Sequence, residues 1–140
     1  MRKLRTTRGK SSNPRKLERK SDERGWLVEV LDGKTSDIPN FGLMFVTTAY
    51  PNSVKGNHYH KHKKEWACVI QGTGRLILED VRTKEKIEME TGENNLMLVE
   101  VPPYFSHGIK NISDSLLMML EYTDTIFDEK NPLSLIHISE

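Results

Sequence analysis

A chain of 140 residues with 36% hydrophobic and 29% charged residues and a net charge of +1 has the composition of an ordinary soluble protein and fits one domain with a real core. No apolar run approaches the roughly 18–20 residues of a membrane span, and the basic start lacks the apolar segment of a signal peptide. Cys68 is the single cysteine, which excludes a disulfide framework and a cysteine-based zinc motif, so a buried bystander thiol and a cytoplasmic location are expected.

Charge is uneven along the chain. Residues 1–24 hold ten Lys/Arg against three Asp/Glu, and the remainder holds 11 against 17. A basic arm can touch phosphate, but no aromatic side chain is interleaved with these charges, so a solvated terminus is expected and nucleic acid is not. With Gly9, Ser11, Ser12, Asn13 and Pro14, residues 1–20 read as an extended or loosely ordered lead-in.

From about residue 21 the chain becomes a series of short β-like runs at 26–31, 42–50, 66–70, 75–80, 86–90, 95–101, 106–110 and 115–122. Turn signals separate them, among them DGK at 32–34, QGTG at 71–74 and TGENN at 91–95. Strands about ten residues apart with no helical period predict an all-β sandwich or barrel over 21–132. The last stretch, LSLIHISE at 133–140, resembles the in-frame translation of a transposon-end adapter used for sequencing libraries. The expectation is that 133–140 are foreign and His137 is without function; the alternative is a genuine final strand.

Chemistry concentrates in GNHYHKHKKEW, residues 56–66. In a strand, residues two apart share a face, so His58 and His60 can aim two imidazoles at one point. Glu65 can return from the adjoining strand, and His107 comes from the separate segment VPPYFSHGIKN. Three imidazoles and a carboxylate suit zinc, iron, manganese or nickel, with room left for water or substrate. His62 is expected in the turn before Trp66. Trp66, Met118 and Met119 read as core, Lys61, Lys63 and Lys64 as a solvated turn, Glu79 and Asp80 as surface, and Asn111 as a residue that orients a loop.

The spacing of Gly56, His58, His60, Glu65 and Gly72 resembles the first cupin motif. Pro102, His107 and Asn111 resemble the second, with Tyr104 where glycine is usual. The resemblance implies a cupin jelly roll, an antiparallel β-barrel. DERGWLVEVL (22–31) followed by VKGNHYH (54–60) resembles the dTDP-4-dehydrorhamnose 3,5-epimerase superfamily. KGNHYH and the FDEKNP end (127–132) resemble still more the metal-binding cupin domain of capsular-polysaccharide nucleotide-sugar enzymes.

That resemblance implies an epimerase or isomerase that abstracts a proton beside the carbonyl of a nucleotide-linked 4-keto-6-deoxy sugar. Arg24 and Glu29 fall on residues lining the nucleotide diphosphate and sugar, Lys55 stands where the family has arginine, and His58 falls on the base. A divalent metal on His58, His60, Glu65 and His107 is implied, without nicotinamide or flavin, in a homodimer that pairs N-terminal strands. The family's tyrosine acid has no counterpart at Thr125 or Ile126; Tyr122 and Tyr104 are substitutes without positional support. If His58 is a ligand its lone pair is occupied, so the base and ligand readings compete for it. The other readings are a non-catalytic metal- or sugar-binding module, and a metal-dependent dioxygenase or phosphosugar isomerase on the same barrel.

Overall fold

The computed structural model describes residues 14–33 and 40–125 and the backbone of residues 135–137; for Asn57 and His58 it describes the backbone alone. In chain order the strands are β1 (Arg15–Lys16), β2 (Arg19–Asp22), β3 (Gly25–Val28), β4 (Leu43–Ala49), β5 (Val54–His60) and β6 (Glu65–Gln71). They continue with β7 (Thr73–Asp80), β8 (Lys86–Gly92), β9 (Met97–Val101), β10 (Phe105–Asn111), β11 (Leu117–Thr123) and β12 (Leu135–His137). No described residue is helical.

Two five-stranded sheets, ordered β1-β9-β6-β11-β4 and β12-β5-β10-β7-β8, lie alongside a two-stranded β2–β3 hairpin. The pairings are antiparallel. From β4 to β11 every connection except β7–β8 changes sheet, so the chain winds back and forth across one core. This is the jelly roll that the cupin resemblance implied. The lead-in is more ordered than expected from Pro14 onward: β1 pairs with β9, and Leu17 N–H donates to the Leu96 carbonyl at 2.8 Å. Residues 1–13 lie outside the described residues. At the other end the backbone of β12 pairs with β5.

Period-two alternation builds the core. In β7 and β8, Leu76, Leu78, Ile87 and Met89 are buried, while Arg75, Ile77, Glu88 and Glu90 face out. β6 is buried on both faces and so reads as a continuous apolar run. Ala67 and Val69 join the main core, whereas Trp66 packs outward with Leu98 and Tyr122 against Leu17, Val30 and Leu31. Cys68 is buried as expected, and burial pushes its thiol up to about 11. Met119 is core, but Met118 occupies the outer face and is only half-buried. Asp80, expected on the surface, is buried because its carboxylate accepts the Arg82 N–H at 3.0 Å and pairs with the Arg82 guanidinium. Asn111, fully buried, donates to the Ala49 and Ser115 carbonyls and accepts from Ser113, which fixes the loop after β10.

Gly56 is the backbone contact on which the site depends. Its φ is +108°, and a Cβ there would stand 2.5 Å from the His107 carbonyl oxygen. The β5–β10 register shifts beside it, between His107 and Gly108. Only glycine lets β5 approach β10 this closely. Gly56→Ala should cost about 3 kcal/mol, combining a left-handed backbone with a backbone clash, read as a lowered urea midpoint with unchanged slope.

Candidate functional site

A cavity of about 310 Å³ opens where β5 ends and β6 begins, at the low end of ligand-site volumes. Alternation selects its walls: Phe45 and Thr47 from β4, Glu65 from β6, His107 and Ile109 from β10, and Met119, Glu121 and Thr123 from β11. His60 closes β5, and Lys63 reaches in from the connection that follows.

Four buried polar side chains meet there: His60, Glu65, His107 and Glu121, none more than 8% exposed. His60 Nε2 lies 2.7 Å from Glu65 Oε1. His107 Nε2 stands 3.7 Å from Glu65 Oε2 and 3.7 Å from Glu121 Oε1. The Thr47 hydroxyl donates to the other Glu121 oxygen, Oε2. One donor atom from each of Glu65, His107 and Glu121 falls within 4.8 Å of the others, a grouping able to hold a metal ion. Burial by itself pushes the His107 imidazole down, but the Glu121 and Glu65 carboxylates outweigh it and hold the group above its ordinary value.

The sequence-predicted residues separate into two groups. His60, Glu65 and His107 come together, with Lys55 on the same cavity wall, its Nζ donating to the Thr48 carbonyl at 3.2 Å. The His58 backbone is paired opposite His107, and its side chain lies outside the described residues. Arg24 and Glu29 do not line this cavity. Arg24 sits exposed at the β2–β3 turn, ion-paired to Asp22 at 2.6 Å, and Glu29 is exposed just after β3.

Tyr122, the candidate acid, points the other way. Met119, Glu121 and Thr123 take the inner face of β11, so Tyr122 must take the outer one, where its hydroxyl donates to the Asn40 carbonyl and its ring meets Trp66 edge-on at 5.0 Å. Tyr104 also stands outside, stacked on Tyr59 under the Arg82 guanidinium. His62 and Lys61 are exposed in the turn, as expected, and Lys64 pairs with Glu100 at 2.8 Å. Lys63 departs from the solvated-turn expectation by lining the cavity. Glu121 and Thr47 went unread, because SLLMMLEY is apolar at both parities and does not say which of Glu121 and Tyr122 faces in.

Residues 20–134 match the family described as the polysaccharide biosynthesis C-terminal domain. The chain belongs to that family. It is 33% identical over 112 residues to a UDP-2-acetamido-2,6-beta-L-arabino-hexul-4-ose reductase of Pseudomonas aeruginosa, covering 80% of this chain and 29% of that one. The chain thus spans under a third of that relative. It is 27% identical over 123 residues to the spore coat polysaccharide biosynthesis protein SpsL of Bacillus subtilis, covering 84% of this chain and 82% of the other. In fold it is similar to a dTDP sugar isomerase from Desulfovibrio desulfuricans G20, with a TM-score of 0.82 at 19% identity over 91% of this chain and 83% of that one. The cupin-like resemblance read from the two motifs therefore holds. No helix among the described residues is long and apolar enough to cross a membrane.

The raised His107 value has a measurable consequence in metal-free protein. An imidazole raised by folding stabilises the fold while protonated; that contribution is complete below its ordinary value of 6.5 and is lost as pH climbs through the folded value. Chelator-treated protein should lose stability from about pH 6.5 upward, read as a falling urea midpoint, and His107→Gln should flatten that slope. If a divalent ion binds through His107, saturating ion should reverse the sign, because ligation needs the neutral imidazole.

Proposed function

We propose that this chain is a cupin-type epimerase or keto–enol isomerase acting on a nucleotide-linked 4-keto-6-deoxy sugar in surface-polysaccharide synthesis. The observation that carries this reading is a sugar-sized cavity whose buried wall combines imidazoles and carboxylates, with the exposed Lys55 also lining it. The sugar-nucleotide enzymes among the relatives support it, although the whole activity of the longer reductase belongs to that protein.

A hydrogen beside a ketone is acidic enough for a base near neutral pKa to remove, and its return to the other face inverts the carbon. His58 takes the base role by resemblance. A divalent metal, zinc, iron, manganese or nickel, fits the donor set of Glu65 and His107 with His60 beside them, and when bound it would polarise the carbonyl and stabilise enolate charge. Lys55 and Lys63 hold positive charge at the cavity wall, suited to an enolate oxygen or a phosphate. Phe45, Ile109 and Met119 supply apolar wall that helps keep water from the reacting carbon, beside the hydroxyls of Thr47 and Thr123. Arg24 and Glu29 act on the diphosphate from the β2–β3 hairpin of a second copy in a homodimer, since neither lines its own chain's cavity.

A non-catalytic sugar-binding module is the second reading, and one observation favours it: among the described residues no tyrosine lines the cavity. Deuterium wash-in decides between the two. Incubating the protein with dTDP-4-keto-6-deoxyglucose in heavy water should give exchange at C3 or C5 by NMR, lowered by about 10²–10⁴-fold in His58→Gln. Tyr122→Phe should leave exchange nearly unchanged while costing about 1 kcal/mol of stability for its lost hydrogen bond. Absence of exchange with both the thymidine- and uridine-linked ketosugars would move the assignment to the binding module.

A further inference from the structure

We infer that Glu121 is itself a metal ligand, a corner of the cation site lying outside both sequence motifs; this rests on the metal reading given above. The motif set is drawn from β5, the start of β6 and β10, whereas Glu121 is carried by β11. Geometry treats Glu121 and Glu65 alike. Each presents one carboxylate oxygen 3.7 Å from His107 Nε2. That is too long for a hydrogen bond, yet it lies within the roughly 3–4 Å that separates donor atoms each bonded at about 2.0–2.2 Å to one shared ion. His60, by contrast, makes a direct 2.7 Å contact with Glu65 Oε1. Its nitrogen thereby orients the Glu65 carboxylate.

The orientation of Glu121 is also held from behind. Thr47 donates to Oε2, which turns Oε1 toward His107, the arrangement by which outer partners aim a ligating carboxylate. Charge is compatible with the same assignment. Two carboxylates, 3% and 5% exposed, share one face of a cavity with the imidazoles of His60 and His107, and a divalent cation between Glu65, His107 and Glu121 would add to the positive charge that offsets them.

Two consequences follow for the site. Two carboxylate oxygens with one imidazole form a harder donor set than three imidazoles with one carboxylate, which tilts preference toward manganese or iron. A carboxylate from β11 also fills a position otherwise assigned to His58, leaving the lone pair of that histidine for the proton.

The test uses the whole chain stripped of metal by chelator and titrated with Co(II), whose visible absorption reports the ligand set. Zn(II) and Mn(II) affinities are read in parallel by competition with a chromophoric chelator. The wild type should take up Co(II), and Glu121→Gln should both change the Co(II) spectrum and weaken binding by more than about 100-fold, beyond the loss expected of an outer partner. Should Glu121→Gln not fold, Glu121→Asp keeps the charge, shortens the reach by one methylene and should likewise alter the spectrum. A Co(II) spectrum identical to wild type in the folded variant overturns the assignment, whatever the affinity, because it leaves Glu121 only orienting His107. Failure of the wild type to bind any of the three ions overturns both this assignment and the metal reading. A Glu121-dependent spectrum in a protein without deuterium wash-in upholds the ligand and removes the epimerase.

Discussion

Two carboxylates, Glu65 and Glu121, are buried on neighbouring strands of one sheet, both facing one imidazole, His107, from the other, and the rest of the molecule is arranged around that fact. A desolvated anion is costly to a fold unless it is paired, and here the pairing is drawn from four different strands. His60 ends β5, Glu65 begins β6, His107 sits mid-way along β10, and Glu121 lies near the end of β11. Removing any one of them leaves its partners buried with less compensation. The cluster is therefore costly to the barrel unless its charges stay balanced.

The jelly-roll winding makes this cluster possible. Because most connections cross from one sheet to the other, residues close in sequence, such as His60 and Glu65, face each other across the core rather than lying side by side. Between the sheets, alternation gives each strand one inward face, and at one end of the sandwich those positions are polar where elsewhere they are Leu, Val and Ile. Gly56 removes the side chain that would hold β5 away from the His107 backbone. On the outer face of the sheet, Trp66 and Tyr122 occupy the alternate positions to Glu65 and Glu121, packed against Leu98, so the walls that carry the acids are braced from behind.

Membership of the polysaccharide biosynthesis family places this barrel in two settings. It matches under a third of a long reductase and most of the shorter SpsL. The same unit thus occurs as part of a larger chain and as most of a small one. The β2–β3 hairpin stands apart: its Arg24 and Trp26 are exposed and do not line the cavity.

Much of this was legible in the sequence. Turn residues and short alternating runs marked the strands from β3 to β11 except β5, which was read as extended only through its histidines, and the His-x-His spacing with Glu65 and the distant His107 marked three of the buried cluster, because ligand-bearing strands keep a two-residue period that survives in one dimension. Tyr122 and Glu121 are adjacent, however, and which of them enters the cavity depends on which face of β11 meets β10 and which meets Trp66. SLLMMLEY is apolar at both parities, so the run carries no phase from which to choose. Asp80 was misplaced for a related reason: its burial comes from a turn that folds back on its own carboxylate. Sequence by itself determined the fold class, the family and the histidine–glutamate core of the site. Only the tertiary structure decided that Glu121 faces inward, that Tyr122 faces out and that Arg24 and Glu29 lie elsewhere, because the side chosen by an alternating strand is set by what packs against it.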